Sequence, residues 1–318
     1  MLHPNQQRGS LDLEVVEACP LCRRKRLRQR FNVSHITGDP LHSWASDQGF
    51  SNVDVLACRD CGFLLKQLRP SSSYLHQHYV HSGEAYVERV AEEDSVIRQD
   101  YRVARRFLNR TFPQGAAILD VGCASGFFLD SLGSTWKKHG LEILHVAAER
   151  ARRRPGICVH ECDIESAKFA DKSFDAASAF DVLEHLADPT PFFAEVERIL
   201  KPAGHLILGT GNSQSISALM SGSRWTYLCI PEHVSFFSPR SLRVALQRAG
   251  FSHIEFKRIH HGERSAAVAT GWFRAVGKHW AVSVCGDSIT RFRLFRHKTT
   301  DFQVPYFLDH MICIAQGK

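Results

Sequence analysis

A glycine turn between two apolar segments is the part of this sequence best suited to hold a nucleotide. The first segment predicts a strand that ends at Asp120, the turn contains Gly122 and Gly126, and the second segment predicts a helix. α/β proteins bind nucleotides at such junctions, because glycine lets a ligand approach the main chain beside a helix N-terminus. Glu142 follows Gly122 by 20 residues, within a second predicted strand at residues 140–144. An acidic side chain at that distance suits ribose hydroxyls, so the sequence predicts a nucleoside site.

Two C-x-x-C pairs near the N-terminus predict a metal site. Their residues are Cys19, Cys22, Cys58 and Cys61. Two tight thiolate turns can complete one tetrahedral site, which suits Zn²⁺, and four protein ligands leave no open position, so the predicted zinc is structural. Gly62 directly after the second pair is typical of a knuckle, whereas Arg23 stands at the equivalent place after the first pair.

A basic run lies between the two pairs, with six basic residues among residues 23–30. Such a run could bind nucleic acid, or it could be a solvated loop or strand whose charge limits edge pairing. No aromatic residue within the run supports base stacking, which favours the second interpretation.

The composition predicts a globular protein with one large and one small domain. The chain has 318 residues, of which 44% are hydrophobic and 23% charged. No run of 18 apolar residues and no apolar signal core are present, so we expect a cytoplasmic protein whose cysteines are thiols or metal ligands. The net charge of +7 indicates an anionic partner without identifying it. Strand and helix patterns predict a zinc-binding module at 1–80, a helical connector at 81–115 and an α/β domain at 116–318, with 260–305 as a lid insertion.

The segment D-V-G-C-A-S-G-F at 120–127 resembles motif I of class I S-adenosylmethionine-dependent methyltransferases. A redox dinucleotide site would read G-x-G-x-x-G, but position 124 is Ala, so no pyrophosphate cradle is predicted. Leu-Glu-His at 183–185 and L-K-P-x-G at 200–204 are also frequent in small-molecule members of that class. The resemblance implies a seven-stranded Rossmann-like sheet.

The same resemblance implies which residues contact S-adenosylmethionine. They are Asp120, Gly122, Cys123, Ala124, Gly126, Phe127, Glu142, Asp163, Ile164, Phe180 and Asp181. In the family, an Asp such as Asp163 lies near the adenine amino group and the next apolar residue packs on the ring, although Asp163 could instead cap the following turn. Phe180 and Asp181 would flank the sulfonium.

The N-terminal part resembles the zinc module of bacterial methyltransferases from sugar, glycan and natural-product pathways, with its Cys-Gly knuckle and an Arg-Pro-Ser turn at 69–71. This resemblance implies a small-molecule, sugar or glycan acceptor. For a hydroxyl acceptor, His233 is the first candidate base and His185 the second, because imidazole titrates near neutral pH. His185 could instead make a helix-start hydrogen bond, or join Asp181 and Glu184 around a divalent ion.

Two other functions remain open at this stage. An RNA methyltransferase would use the zinc module and residues 23–30 to grip phosphates, although the Asn/Asp-Pro-Pro-Tyr of base N-methylation is absent. A zinc-ribbon adaptor would keep the fold without catalysis. The pattern indicates neither the acceptor atom nor an oligomeric state.

Overall fold

The computed structural model describes residues 12–36, 45, 50–81, 98–259 and 309–318. The expected lid at 260–305 lies outside the described residues, as does the first half of the expected connector. Among the helices of the described ranges, none combines the length and apolar character needed to cross a bilayer.

Thirteen strands are labelled here in chain order. They are β1 Leu13–Val15, β2 Leu27–Ser34, β3 Asn52–Cys58, β4 Leu64–Lys66, β5 Leu68–Pro70, β6 Ala117–Val121, β7 Lys137–Leu141, β8 Ile157–His160, β9 Phe174–Phe180, β10 Leu200–Gly211, β11 Ser235–Phe236, β12 Ser252–Ile259 and β13 His310–Gln316.

The α-helices follow the same convention. They are α1 Ser72–His81, α2 Gln99–Thr111, α3 Phe127–Ser131, α4 His145–Arg152, α5 Thr190–Ile199, α6 Ile216–Ser221, α7 Thr226–Cys229 and α8 Pro239–Ala249. Short 3₁₀ turns cover Leu183–His185 and Gly222–Arg224.

The seven-stranded α/β sheet expected from the sequence is present, in the order β12-β13-β10-β9-β6-β7-β8. Strand β13 pairs antiparallel with both neighbours, and the pairs from β10 to β8 are parallel. Consecutive residues of β6 face opposite sides of the sheet, so that Ile118 packs in one apolar cluster and Leu119 in the other. The chain order reverses between β6 and β9, and ligands of open α/β sheets bind beside such a switch point.

Two predicted boundaries are wrong. The second strand of the sheet covers Lys137–Leu141 rather than 140–144, so Glu142 lies just beyond its carboxyl end. The L-K-P-x-G segment, whose Pro and Gly predict a turn at 201–204, lies within the range of β10, where the pairing register shifts between Leu200 and His205 and Ala203 takes a φ of 60°. Pattern counting missed the first boundary because apolar residues recur from Leu141 to Leu144. It missed the second because a short irregularity in a sheet leaves the apolar periodicity unchanged.

The N-terminal module does not form its sheet alone. Its four-stranded sheet has the order β11-β4-β3-β2, and β11 comes from the segment after His233. Ser238 then begins α8 with a capping box, and Gly250 ends it in the left-handed conformation. Helix α8 thereby fixes the position at which the segment that contains His233 ends.

Candidate cofactor and substrate site

The glycine turn lies directly after β6 and takes the conformation that its glycines permit. Gly122 and Gly126 have φ values of 71° and 77°, and Ala124 between them has a φ of 46°. A Cβ on Gly122 would lie 2.6 Å from Cγ2 of Val182. The turn and the residues after β9 therefore meet at a distance that only glycine allows at position 122.

Glu142 holds the turn against the end of β7. One carboxylate oxygen accepts a hydrogen bond from the Ala124 amide at 2.8 Å, and the other accepts one from the Leu144 amide at 2.9 Å. Burial raises the pKa of Glu142, although these amides act in the opposite direction. The side chain is thus fixed at the rim of the turn, where the sequence placed it.

The turn also contains an orphaned polar atom. The Ser125 hydroxyl is buried and has no hydrogen-bond partner among the described residues. Next to it, Asp120 accepts a hydrogen bond from Ser178 of β9 at 2.6 Å. A buried hydroxyl without a partner costs free energy unless a ligand satisfies it, so the residues of the turn fit a polar nucleoside cofactor.

The other predicted cofactor contacts follow β8 and β9. Asp163 is exposed, and its carboxylate accepts a hydrogen bond from the Ser166 amide at 2.7 Å, the capping contact that the sequence left as an alternative. Ile164 is buried in the core. The Phe180 ring packs 4.7 Å from the ring of Phe128, measured between centroids. Binding roles for these residues stay predictions.

Asp181 joins elements that are far apart in the chain. It takes a positive φ of 53°, and its carboxylate accepts a hydrogen bond from Arg98 at 2.5 Å. His310 of β13 lies 3.6 Å from its other oxygen and 2.8 Å from Asp309. Burial acts to lower the pKa of His310, but the two carboxylates outweigh it and raise that pKa to about 9. The cluster therefore holds cationic groups between carboxylates.

Glu184 lies at the centre of this buried cluster. Its carboxylate accepts a hydrogen bond from the Thr210 hydroxyl at 3.0 Å. The Tyr227 hydroxyl lies 3.3 Å from the same Thr210 oxygen. Burial, together with the charge of Asp181, raises the pKa of Glu184 to about 7. A carboxyl group that titrates near neutral pH beside the ends of β9 and β10 is suited to proton transfer.

The two candidate bases meet beside Glu184. The centroids of the His185 and His233 rings lie 4.8 Å apart. The His185 Nδ1 is 3.3 Å from the backbone carbonyl oxygen of Glu232, and the His233 Nδ1 is 3.0 Å from that of Tyr227. Burial lowers the pKa of His233 well below its usual value, and His185 adds to the effect. His233 is therefore neutral at physiological pH and can accept a proton.

Sequence reasoning missed three residues of this cluster. Arg98, Asp309 and His310 were assigned no role, although all contact or neighbour the carboxylates of Asp181 and Glu184. The Asp-His pair at 309–310 was the available signal for two of them. Nothing in the pattern around Arg98 distinguishes it from a packing residue.

The four predicted metal ligands lie together at the N-terminal module. All four cysteines are buried, and their sulfurs lie within 4.8 Å of one another. The Cys19–Cys61 and Cys22–Cys58 sulfur pairs are 3.5 and 3.4 Å apart. Zn–S bonds of ~2.3 Å in a tetrahedron place sulfurs about 3.8 Å apart, so this sulfur set fits one Zn²⁺.

The two C-x-x-C turns repeat the same backbone pattern. The Arg23 amide donates to the Cys19 carbonyl at 2.8 Å, and the Gly62 amide donates to the Cys58 carbonyl at 2.9 Å. Arg23 and Gly62 both have positive φ, 59° and 78°. The first turn is thus a knuckle like the second, with an arginine in the position that favours glycine.

The basic run forms an edge of the module's sheet. Strand β2 is the outer strand, and Arg28 and Arg30 are exposed on it. Arg23 pairs with Asp188 at 2.7 Å and Arg26 with Asp60 at 2.9 Å, so part of the positive charge is already neutralised. A charged outer strand of this kind resists pairing with other chains.

Lys66 connects the module to the candidate base. Its side chain is fully buried, and its ammonium group donates to the carbonyls of Ile230 and Pro231 at 2.6 and 3.2 Å, with His35 at 3.0 Å. Burial lowers the pKa of Lys66 to about 7, and only Glu232 and Cys229 oppose this. The strand after the second C-x-x-C pair therefore holds the backbone just before His233.

This burial predicts a stability that depends on pH. The folded pKa of Lys66 lies below its ordinary value of 10.5, so the unfolded chain binds more protons between pH 7 and 10. The Lys66 contribution to the free energy of unfolding should rise by about 1 kcal/mol per pH unit over that range and be lost as pH falls to 7. Urea unfolding of wild type and Lys66→Met at several pH values measures it. Equal pH slopes for the two proteins would contradict it.

Comparisons with known proteins show a similarity to methyltransferases. A family profile described as a methyltransferase domain matches residues 96–255, half of the chain. A Mycolicibacterium smegmatis protein named a probable S-adenosylmethionine-dependent methyltransferase is 27% identical, over 57% of this chain and 68% of its own length. A ubiquinone biosynthesis O-methyltransferase of Cereibacter sphaeroides is 24% identical, over 45% of this chain and 63% of that protein.

Further matches extend the similarity to larger proteins and to solved structures. The chain is 25% identical to the biotin biosynthesis bifunctional protein BioHC of Teredinibacter turnerae over 60% of its length, but it spans only 36% of that protein. A solved complex of the Haloferax volcanii Trm112 methyltransferase activator with a methyltransferase matches with a TM-score of 0.52 and 19% identity, covering 73% of this chain and 94% of that one. At that identity the structure shows the shared fold alone.

Proposed function

The chain belongs to the family of methyltransferase domains, and from this premise we propose that it methylates a small-molecule, sugar or glycan acceptor at the Glu184–His185–His233 cluster. It is an S-adenosylmethionine-dependent methyltransferase. The observation that carries the choice of acceptor is the enclosure of the candidate base: His233 is only 7% exposed, between Tyr227 and His185. A base so enclosed suits a compact acceptor, and one relative is named a ubiquinone biosynthesis O-methyltransferase.

The residues of the chain align the reactants and keep water out. Bound S-adenosylmethionine supplies an electrophilic methyl group on a sulfonium centre. The turn at 122–126 and Glu142 would orient it, and the segment from Trp225 to Phe237 would close the acceptor side, since its aromatic residues are buried there. Exclusion of water strengthens each polar contact inside the site and protects the sulfonium from hydrolysis.

His233 is the residue that we propose to take the acceptor's proton. Its Nδ1 is within hydrogen-bond distance of the Tyr227 carbonyl oxygen, which can only accept, so Nδ1 must carry the proton. The Nε2 lone pair is then the proton acceptor. His185 lies beside it and would hold the ring in place. Glu184, which titrates near neutral pH, would stabilise the imidazolium formed when His233 accepts the proton.

We also infer that Cys19, Cys22, Cys58 and Cys61 bind one structural Zn²⁺. The buried sulfurs and the paired knuckles support this inference, and no coordination position would remain for substrate. Zinc bound there would hold β3 and β4 in place. Because β4 pairs with β11, it would also hold the segment that contains His233.

Labelling of the acceptor tests the proposed function. Purified enzyme is incubated with methyl-labelled S-adenosylmethionine and a cell extract that has been separated into small-molecule, glycan and RNA fractions. We expect label in the small-molecule or glycan fraction, found by mass spectrometry. Label confined to RNA, lost when Arg28 and Arg30 are neutralised, would favour the RNA alternative. No calorimetric heat with S-adenosylmethionine would favour a non-catalytic adaptor.

The pH dependence of kcat/KM tests the base. Because the pKa of His233 lies well below the ordinary 6.5, the rate should stay level from pH 8 to 6.5 and fall only at lower pH, as His233 becomes protonated. His233→Asn should lower kcat by roughly 10²-fold or more while S-adenosylmethionine affinity is kept. A rate that instead falls near pH 7, and no longer does so in Glu184→Gln, would assign the base to Glu184.

A further inference from the structure

A second cluster of metal-binding side chains lies at the far edge of the seven-stranded sheet. His139 of β7 and Cys158 of β8 are directly paired residues, and His160 follows two positions along β8 on the same face. The three residues each offer a ligand atom within 4.8 Å of the others. This cluster is separate from the cysteine knuckles and takes no part in the proposed methyl transfer.

Two of the three distances within the cluster match those of a tetrahedral metal site. His139 Nδ1 lies 3.4 Å from His160 Nε2, and Cys158 Sγ lies 3.6 Å from the same nitrogen. Zinc bonds of ~2.0–2.1 Å to nitrogen and ~2.3 Å to sulfur place two nitrogens about 3.3 Å apart and a nitrogen and sulfur about 3.6 Å apart. Both observed distances agree with that geometry to about 0.1 Å.

Aromatic contacts hold the two imidazoles in this arrangement. The Phe169 ring packs edge-on against His160 at 5.0 Å, and the Phe174 ring packs against His139 at 5.4 Å. The phenyl rings also contact each other at 5.0 Å. Packing that fixes ligand rotamers lowers the entropy lost when a metal binds.

Among the described residues no helix covers this corner of the sheet, which leaves the cluster open to solvent. Strand β8 is the outer strand of the sheet, and the connection from β8 to β9 contains turns without a helix. Cys158 is exposed and both histidines are half-buried, so an ion can enter and its fourth position would face solvent. Three protein ligands with one open position distinguish this cluster from the closed cysteine site.

We propose that His139, Cys158 and His160 form a second site for a divalent metal ion of the zinc type. The ion would link β8 to β7 at the sheet edge, close to the cofactor side, since the His160 carbonyl accepts a hydrogen bond from the Glu142 amide at 3.1 Å. The thiol loses its proton when it binds the ion, and water completes the coordination.

Metal titration of the untagged full chain tests this site without reference to activity. With the tightly held metal left in place, wild type should bind one further equivalent of Co²⁺ and show a thiolate-to-cobalt charge-transfer band. Cys158→Ser should lose the band, and His160→Gln should lose the added equivalent. Cys162→Ser is the matched control, because Cys162 lies four residues along the chain and outside the cluster, and it should behave as wild type.

Thiol labelling gives an independent result. Zn²⁺ should slow maleimide labelling of Cys158 by about tenfold, because a metal-bound thiolate is no longer available as nucleophile. The protection should disappear in His160→Gln. Equal metal binding by wild type and Cys158→Ser, or a labelling rate that Zn²⁺ leaves unchanged, would overturn the proposal and leave an imidazole–thiol hydrogen-bond cluster.

Discussion

Cys58→Ser is expected to release the proposed metal of the N-terminal knuckles and to unfold the module around them. The four sulfurs are buried together, and three remaining thiols cannot complete the closed tetrahedral site. In zinc-finger peptides the metal contributes about 10–16 kcal/mol of apparent binding free energy at pH 7, most of which is folding free energy. Loss of the module should also lower methyl transfer, because β4 pairs with β11 next to His233.

Elemental analysis and thermal unfolding of the purified chain measure this effect. We expect Cys58→Ser to lose the metal equivalent that wild type retains against a weak chelator, and to melt at a clearly lower temperature. Cys162→Ser removes a thiol from the half-buried surface and should change neither value. If Cys58→Ser kept its metal and its melting temperature, the cysteines would be four reduced thiols without a structural metal.

Gly122→Ala is expected to weaken S-adenosylmethionine binding strongly. An alanine at a φ of 71° costs roughly 1–2 kcal/mol, and its Cβ would lie 2.6 Å from Val182 Cγ2, so one of the two segments must move. Accommodating an extra methyl group in a packed site costs roughly 1–3 kcal/mol. Since both segments would border the cofactor in the proposed site, we expect the dissociation constant measured by calorimetry to rise at least about tenfold.

Two companion variants separate the clash from the backbone strain. Gly133 has a φ of 81° and no atom of the described residues within 4 Å of a Cβ built there, so Gly133→Ala carries the strain alone. It should lower stability by about 1 kcal/mol and leave cofactor affinity unchanged. Val182→Ala added to Gly122→Ala removes the clashing atom and should recover part of the affinity. Unchanged affinity in Gly122→Ala would mean that the turn does not border the cofactor.

Local signals in the sequence were sufficient for the turns that depend on short spacing. The glycine turn and the two C-x-x-C turns are each defined by neighbours in the chain. The seven-stranded α/β sheet followed from the family resemblance and is present. The turns could be predicted because each short segment contains all of the information, whereas their cofactor and metal roles stay predictions.

Contacts between distant segments could not be predicted in the same way. Lys66 looks like a surface lysine in sequence, yet it is buried against carbonyls 164 and 165 residues away. Arg98 reaches Asp181 from 83 residues earlier in the chain, and His310 reaches it from the last described strand. Their partners are chosen by tertiary packing, and a buried ion pair has no periodic pattern that would mark it.

The chain order of the strands has a consequence for synthesis of the enzyme. Strand β13 is the last described strand, yet it lies between β12 and β10. A nascent chain that has released only β12 and β10 would leave a gap in the sheet with unpaired edges on both sides. Asp309 and His310 lie at the start of that missing strand and contact the carboxylate cluster. The carboxylate cluster therefore forms only after residues 309–316 have left the ribosome, so a translation product interrupted before them would lack this side of the candidate site.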